Sequence, residues 1–187
     1  MRKLTAYNFI TMNGFFKGPN EDISWHQHRE EQAKYSEESL AADNILLFGR
    51  KTYEMMASFW PTPLAAEMFP KVAEGMNRAE KLVFSNSLSN ASWAGARIVG
   101  GDIVRYVRTL RALPGKDMTI LGSGSIISLL TEHGLVDGYQ FMIDPVALPE
   151  GVPVFQGIKR KITLQLTNSK VFSNGIVLLE YQPVKDG

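Results

Sequence analysis

Apolar positions along this chain fall into short runs broken by glycine, proline and small polar residues, a spacing that predicts many short elements. Residues 4–10 form an extended apolar segment ahead of the turn signal Met12-Asn13-Gly14 and predict a first strand. A loop with Phe15, Phe16, Lys17, Gly18, Pro19 and Asn20 follows. Residues 29–42, rich in Glu, Gln, Lys, Ala and Leu, then predict a helix. Residues 44–48 predict a second strand, ended by Gly49-Arg50-Lys51-Thr52, with helix over 53–57. The stretch 58–78 carries prolines at 61, 63 and 70 and predicts a loop plus an interrupted helix.

In the second half, strands are predicted over 81–84, stopped by Ser85-Asn86-Ser87, and over 97–99, closed by Gly100-Gly101. Asp102 is placed to cap a helix over 103–113. Its stripe is Ile103, Val107, Leu110 and Leu113, with Arg105, Arg108 and Arg111 as a solvated face. Residues 118–121 predict a buried strand, followed by Gly122-Ser123-Gly124-Ser125 and a helix over 126–132 that stops at His133-Gly134. Another strand is predicted over 139–143, and 162–171 and 176–181 flank Ser173-Asn174-Gly175, a hairpin signal. Alternating strands and helices imply an α/β sheet with helices on both faces, and the closing hairpin adds antiparallel strands at one edge, so the sheet is mixed. No repeat or linker divides the chain, so 1–187 is read as one domain.

Composition narrows the partners. A chain of 187 residues with 44% apolar and 21% charged content is that of a folded globular domain, which excludes disordered, collagenous and coiled-coil classes. With no cysteine there is no disulfide, thiol nucleophile or thiolate zinc site. Twenty basic residues balance nineteen acidic ones without a dense cationic run, so nucleic acid is not the expected partner. Neither end pairs a basic segment with an apolar run, and the apolar stretches fall far short of the ~20 residues of a membrane span; a cytoplasmic protein is expected.

The candidate chemistry lies in three turns at strand ends: Gly49-Arg50-Lys51-Thr52, Ser85-Asn86-Ser87 and Gly122-Ser123-Gly124-Ser125. In an open α/β sheet, ligands bind beyond the carboxyl ends of the strands, where helix N-termini present unpaired N–H groups to anions. Together the three turns suit a polyphosphate ligand, with Arg50 as a fixed forked charge and Thr52, Ser85 and Ser87 as hydroxyls. Taken singly, each turn is better read as tight-turn glycines and helix caps, and it is the three together that point to a ligand. The turn at 122–124 invites a dinucleotide fingerprint, with Asp144 about 20 residues on, but Ile127 stands where the third glycine belongs. His26 and His28 form His-x-His beside Glu30 and Glu31 without a recognisable third ligand, so no metal is assigned. Trp25 reads either as a core plug or as a surface for a flat ligand, and the stripe Met55, Met56, Phe59, Trp60 reads as core. Neither a Ser/His/Asp order nor a Gly-x-Ser-x-Gly elbow supports a hydrolase.

The order of Thr11-Met12-Asn13-Gly14, then residues 45–54 with Gly49-Arg50-Lys51-Thr52, then Lys81-Leu82-Val83-Phe84-Ser85, resembles the dihydrofolate reductase fold. Ile120-Leu121-Gly122-Ser123-Gly124, Leu129-Leu130, Gly134-Leu135-Val136-Asp137, Asp144-Pro145-Val146 and Gly151-Val152-Pro153-Val154-Phe155 resemble the C-terminal reductase domain of the bifunctional riboflavin-biosynthesis deaminase-reductase. The resemblance covers nearly the whole chain. It implies a dihydrofolate reductase-like three-layer sandwich with a mixed, mostly parallel central sheet, and NADPH as cofactor. Gly49, Arg50 and Thr52 then meet the cofactor phosphates, Ser85 and Asn86 lie by the adenosine ribose and its 2′-phosphate, and Gly122, Ser123, Gly124, Ser125 and Ile126 lie by the pyrophosphate and nicotinamide ribose. The loop after the first strand nominates Phe16 and Gly18 for the cofactor and Asn13 and Gly14 for the substrate, with Trp25 near the substrate pocket.

Two positions depart from the family pattern. The usual Gly-Gly is Gly122-Ser123 here. Dihydrofolate reductases carry a buried carboxylate on the helix after the first loop; the matching position falls near Ala33-Lys34, beside Glu30, Glu31 and Glu37 on a solvated face, which argues against folate. The zinc ligands of the deaminase half require cysteines, which this chain lacks. The implied activity is hydride transfer from NADPH to a small pteridine- or pyrimidine-like heterocycle by a homodimer. The alternative is a non-catalytic nucleotide-binding or interaction module that retains the fold. The proton donor is left open between Asn13, Trp25 and a bound water.

Overall fold

The computed structural model describes residues 1–26 and 29–184. Strand β1 (Leu4–Thr11) sets the layering: Leu4, Ala6, Asn8 and Ile10 are buried on one face of the sheet, while Tyr7 and Phe9 face the other. A short ribbon pairs β2 (Phe15–Lys17) with β8 (Val152–Pro153), where the sequence predicted only loop. The main sheet adds β3 (Ile45–Gly49), β4 (Lys81–Phe84), β5 (Ala96–Val99), β6 (Met118–Leu121), β7 (Gly138–Asp144), β9 (Leu164–Val171) and β10 (Val177–Pro183). Its order is β5-β4-β3-β6-β1-β7-β10-β9. Strands β5 to β7 in that row are parallel, and β10 joins β7 antiparallel with β9 at the edge, so the expected mixed sheet with a closing hairpin is present.

Helices α1 (Glu30–Ala41), α2 (Arg50–Phe59), α3 (Pro63–Met68), α4 (Pro70–Arg78), α5 (Ile103–Ala112) and α6 (Gly124–Glu132) cover the two faces. Buried strands alternate to serve both. Ile45 and Leu47 pack with Val107 of α5 and Ile127 of α6, whereas Leu46 and Phe48 pack with Tyr53 of α2 and Val72 of α4. Two of the three prolines of 58–78 start helices rather than break them: Pro63 and Pro70 each occupy a first helical turn, where a missing N–H is harmless, while Pro61 lies in the turn between α2 and α3. Helix α2 begins at Arg50, three residues before the predicted start at Tyr53.

Three details of the predicted surfaces are corrected. Arg111 is not solvated: its guanidinium donates to both oxygens of Asp137 at 2.6 and 2.7 Å, and Asp137 also accepts the N–H of Leu4. Leu113 ends α5 as an exposed cap rather than a stripe residue, and Met55 is exposed rather than core. Lys81 is wholly buried. Its ammonium donates to the carbonyls of Asn77, Ala79 and Ala94 at 3.2, 2.6 and 2.9 Å and lies 4.4 Å over the Trp93 ring. Burial lowers its pKa to about 8.

Helix α1 is fastened to the hairpin turn. Gln32, fully buried, exchanges side-chain hydrogen bonds with Asn174, and Glu31 accepts from both the N–H and the hydroxyl of Ser173 at 2.8 Å. No helix among the described residues is long and apolar enough to cross a membrane.

Candidate functional site

A break in the sheet creates the site. Strand β6 pairs with β1 over Leu4–Tyr7 and with β3 over Ile45–Leu47, then ends, while β1 continues beside β7 to Thr11 and β3 runs on beside β4 to Gly49. Beyond Leu121 the gap between β1 and β3 holds the turn 122–124. This turn is tied to β1 by the Gly122 N–H, which donates to the Tyr7 carbonyl at 3.0 Å. Such a split, with helices leaving on opposite sides, is where open α/β sheets bind ligands.

A cavity of about 1200 Å³ opens there, larger than the roughly 300–1,000 Å³ of an ordinary small-molecule pocket. The turns at 49–52 and 122–125 meet in its wall. Ser123 adopts left-handed backbone angles (φ 56°, ψ 58°), and its hydroxyl accepts the Gly49 N–H at 2.8 Å. The Ser123 side chain is therefore turned onto the neighbouring turn, where it joins the two. Gly122 needs its own freedom, since at φ +58° a Cβ would press on Thr52 at 3.2 Å. Phe16 packs tightly against Gly124: a Cβ there would run into the ring, 2.7 Å from Cζ.

The mouth is charged. Arg50, at the start of α2, donates to Glu54 at 3.1 and 3.2 Å, and Lys17 and Lys51 both bind Glu21, whose carboxyl they hold below its ordinary pKa. Arg50, Lys51 and Lys17 against Glu21 and Glu54 leave one positive charge in excess. Deeper, between α1 and α2, the lining turns to Tyr7, Phe9, Trp25, Ser36, Ser39, Met56, Phe59 and Trp60. Burial raises the Tyr7 and Tyr35 hydroxyls above the usual phenol range, so both stay neutral.

Of the residues nominated from sequence, Gly49, Arg50, Thr52, Gly122, Ser123, Gly124, Ser125, Ile126, Phe16 and Trp25 line this cavity. The others lie outside its lining. The Ser85 hydroxyl accepts from the Ser87 and Leu88 N–H groups, and Asn86 accepts from the Gly101 N–H, so both shape the turns after β4 and β5. Asn13 holds the loop after β7, donating to the Leu148 carbonyl at 2.8 Å; Gly14 makes the turn after β1; the Gly18 N–H donates to the Asp22 carbonyl. Trp25 is half-buried with its indole N–H on the Asp22 carbonyl.

The sequence reading missed a pair. His26 stacks on Phe9 with ring centres 3.7 Å apart, and its Nδ1 meets both oxygens of Asp144 at 2.9 and 3.1 Å; both side chains are buried. The carboxylate thus comes from the end of β7 and reaches the cavity wall through an imidazole, whereas α1 lines the cavity with Ser36, Ser39 and Leu40. The one available signal was an aspartate closing an apolar strand before Pro145. His28 lies outside the described residues, and among those described no group of three or more His, Cys, Asp or Glu gathers as a metal site.

The fold and the chain have known counterparts. The uncharacterized protein YyaP of Bacillus subtilis (strain 168) is 29% identical over 175 residues, covering 92% of this chain and 90% of that protein. The structure of a putative riboflavin biosynthesis protein from Shewanella sp. PV-4 superposes with a TM-score of 0.75 at 17% identity, over 98% of this chain and 99% of that one. Dihydrofolate reductase from Enterococcus faecalis, complexed with NADP(H) and RAB-propyl, gives a TM-score of 0.65 at 16% identity over 98% and 97% of the two chains. The architecture is therefore the dihydrofolate reductase-like sandwich that the motif order implied. The family model described as the RibD C-terminal domain matches residues 2–178, and with nearly all of its length inside that match the chain belongs to this family.

Proposed function

We propose that this protein is an NADPH-dependent reductase that delivers hydride to a C=N or C=O group of a small pteridine- or pyrimidine-like heterocycle. The observation that carries this reading is the convergence of two helix N-termini and Arg50 on one large cavity at the sheet's split. The residues present fit a dinucleotide. Gly122 and Gly124 let Thr52 and Phe16 pack close against the turn, and the N-termini of α2 and α6, neither capped by a side chain, face the cavity, where helix N–H groups suit an anion. The Arg50 fork, now shared with Glu54, suits the extra phosphate of NADPH. When bound, the reduced nicotinamide supplies the hydride.

The chain's own residues hold, orient and dry. The inner lobe between α1 and α2, with Trp25 and Phe9 as flat apolar surfaces, takes the heterocycle and excludes water. His26 gives the proton on its Nε2 to the ring nitrogen or oxygen that hydride transfer leaves with an electron pair, and keeps the one on Nδ1. An ionised Asp144 accepts only, so it requires the proton on Nδ1 and fixes the ring's orientation. Assembly as a homodimer belongs to the same proposal. Strand β9 forms the sheet's edge and exposes Leu166 and Val171, and light scattering at twice the 20.9 kDa chain mass tests it.

Fluorescence titration with NADPH and NADH tests the cofactor. Micromolar NADPH binding with much weaker NADH binding is expected, and absence of binding to either refutes the proposal. Arg50→Ala is expected to weaken NADPH by roughly 10- to 150-fold, the range of a charge-assisted contact, and NADH by much less. Equal losses remove Arg50 from the 2′-phosphate. A binding module without catalysis predicts NADPH binding with no hydride transfer to any pteridine or pyrimidine offered.

A further inference from the structure

The split between β1 and β3 holds one polar side chain that the fold leaves unused. Asn8, the first residue of β1 past the end of β6, is 5% exposed, and its Nδ2 has no hydrogen-bond partner among the described residues. Side-chain amides buried this deeply are nearly always paired, because stripping one of water without a replacement is unfavourable. Its neighbours on the same face of β1, Ala6 and Ile10, belong to the apolar core, so a leucine would suit the position better if packing were its purpose. Asn8 also lines the cavity, on the sheet face away from His26 and Phe9, next to the peptide of Tyr7 that receives the Gly122 N–H.

We infer that Asn8 is the donor that reads the carbonyl oxygen of the nicotinamide carboxamide, fixing which edge of the ring enters the split; this rests on the cofactor reading above. The phosphates belong at the mouth, with Arg50 and the α2 and α6 N-termini. The ring end of the dinucleotide therefore lies deeper, where the turn 122–124 meets β1. The heterocyclic substrate occupies the opposite face, beside Trp25 and His26, out of reach of an amide on this side. Asn8 thereby acts as a specificity residue whose unpaired state in the free protein is resolved by the ligand.

The test compares the wild type with Asn8→Leu, using NADPH and adenosine 2′,5′-bisphosphate, which carries the 2′-phosphate but no nicotinamide. Loss of one neutral hydrogen bond predicts roughly tenfold weaker NADPH binding with the bisphosphate unchanged. Because the substitution removes an unpaired buried amide, the free protein is expected to melt a few degrees higher, roughly 2–4 °C. Unchanged NADPH affinity, equal loss for both ligands, or a lower melting temperature each overturns the inference while leaving the cofactor reading intact. Failure of the wild type to bind NADPH overturns both. If Asn8→Leu does not fold, Asn8→Ala answers the two binding questions.

Discussion

Ser123 is subject to two opposing forces that can be separated with two substitutions. Its hydroxyl is the acceptor for the partly buried Gly49 N–H at 2.8 Å, and its backbone sits at φ 56°, where a Cβ is disfavoured. Ser123→Ala removes the acceptor and keeps the strain, so it is expected to destabilise by about 1–3 kcal/mol, the cost of an orphaned donor. Ser123→Gly removes both. It regains about 1 kcal/mol once the greater freedom of glycine in the unfolded chain is subtracted from the relief of strain. At this chain length each kcal/mol moves the melting temperature by roughly 2–4 °C. Calorimetry should therefore place Ser123→Ala roughly 2–12 °C below the wild type and Ser123→Gly roughly 2–4 °C above Ser123→Ala. A Ser123→Ala protein as stable as the wild type would show that the bond between the turns contributes nothing. A glycine variant at or below the alanine variant would refute the assigned strain.

Other substitutions probe the rest of the site and core. Gly124→Ala drives a methyl into the Phe16 ring and should cost about 1–3 kcal/mol in urea unfolding; with Phe16→Ala in the same chain the combined loss should fall short of the sum, and strict additivity would mean the ring is not what the methyl meets. His26→Phe keeps a ring on Phe9 but strands the buried Asp144 carboxylate, so stability at pH 7 should drop by about 3 kcal/mol, and His26→Phe with Asp144→Leu should recover most of it. Lys81 has a folded pKa of about 8, below its ordinary 10.5, so between these values the unfolded chain holds more protons and stability climbs with pH. The stability of the wild type relative to Lys81→Met should therefore rise from pH 8 to pH 10 by up to about 1.4 kcal/mol per unit; parallel curves would contradict the depressed pKa.

Elements whose pattern is set locally were legible. Strands at 81–84 and 118–121 are apolar runs closed by small polar turns, and Asp102 caps α5 by accepting the Arg105 N–H. The ribbon of β2 and β8 was not, because three residues and two residues pair only after the chain has brought positions 15–17 and 152–153 together. The anion-facing half of the cavity was readable because glycine turns and helix starts announce themselves in sequence. Asp144 and His26 were not readable as a pair: they stand 118 residues apart, and the His-x-His spacing drew His26 towards His28 and the neighbouring glutamates rather than towards the end of β7. Arg111 shows the converse failure, since its spacing matched a solvated face while its partner Asp137 lies on the segment leading into β7.

The tie between α1 and the hairpin turn has a bearing on how the molecule is made. Glu31 and Gln32 wait for partners 142 residues downstream, and β1, at the centre of the sheet, needs β6 and β7 on its two sides. At ordinary rates of synthesis that interval is on the order of ten seconds, during which the amino-terminal strand and the inner wall of the cavity have nothing to close against. Such long-range pairing slows folding and prolongs exposure of apolar surface. The cavity is therefore finished from its far side, and a lesion in the turn at Ser173 and Asn174 should show itself first as poor yield on expression.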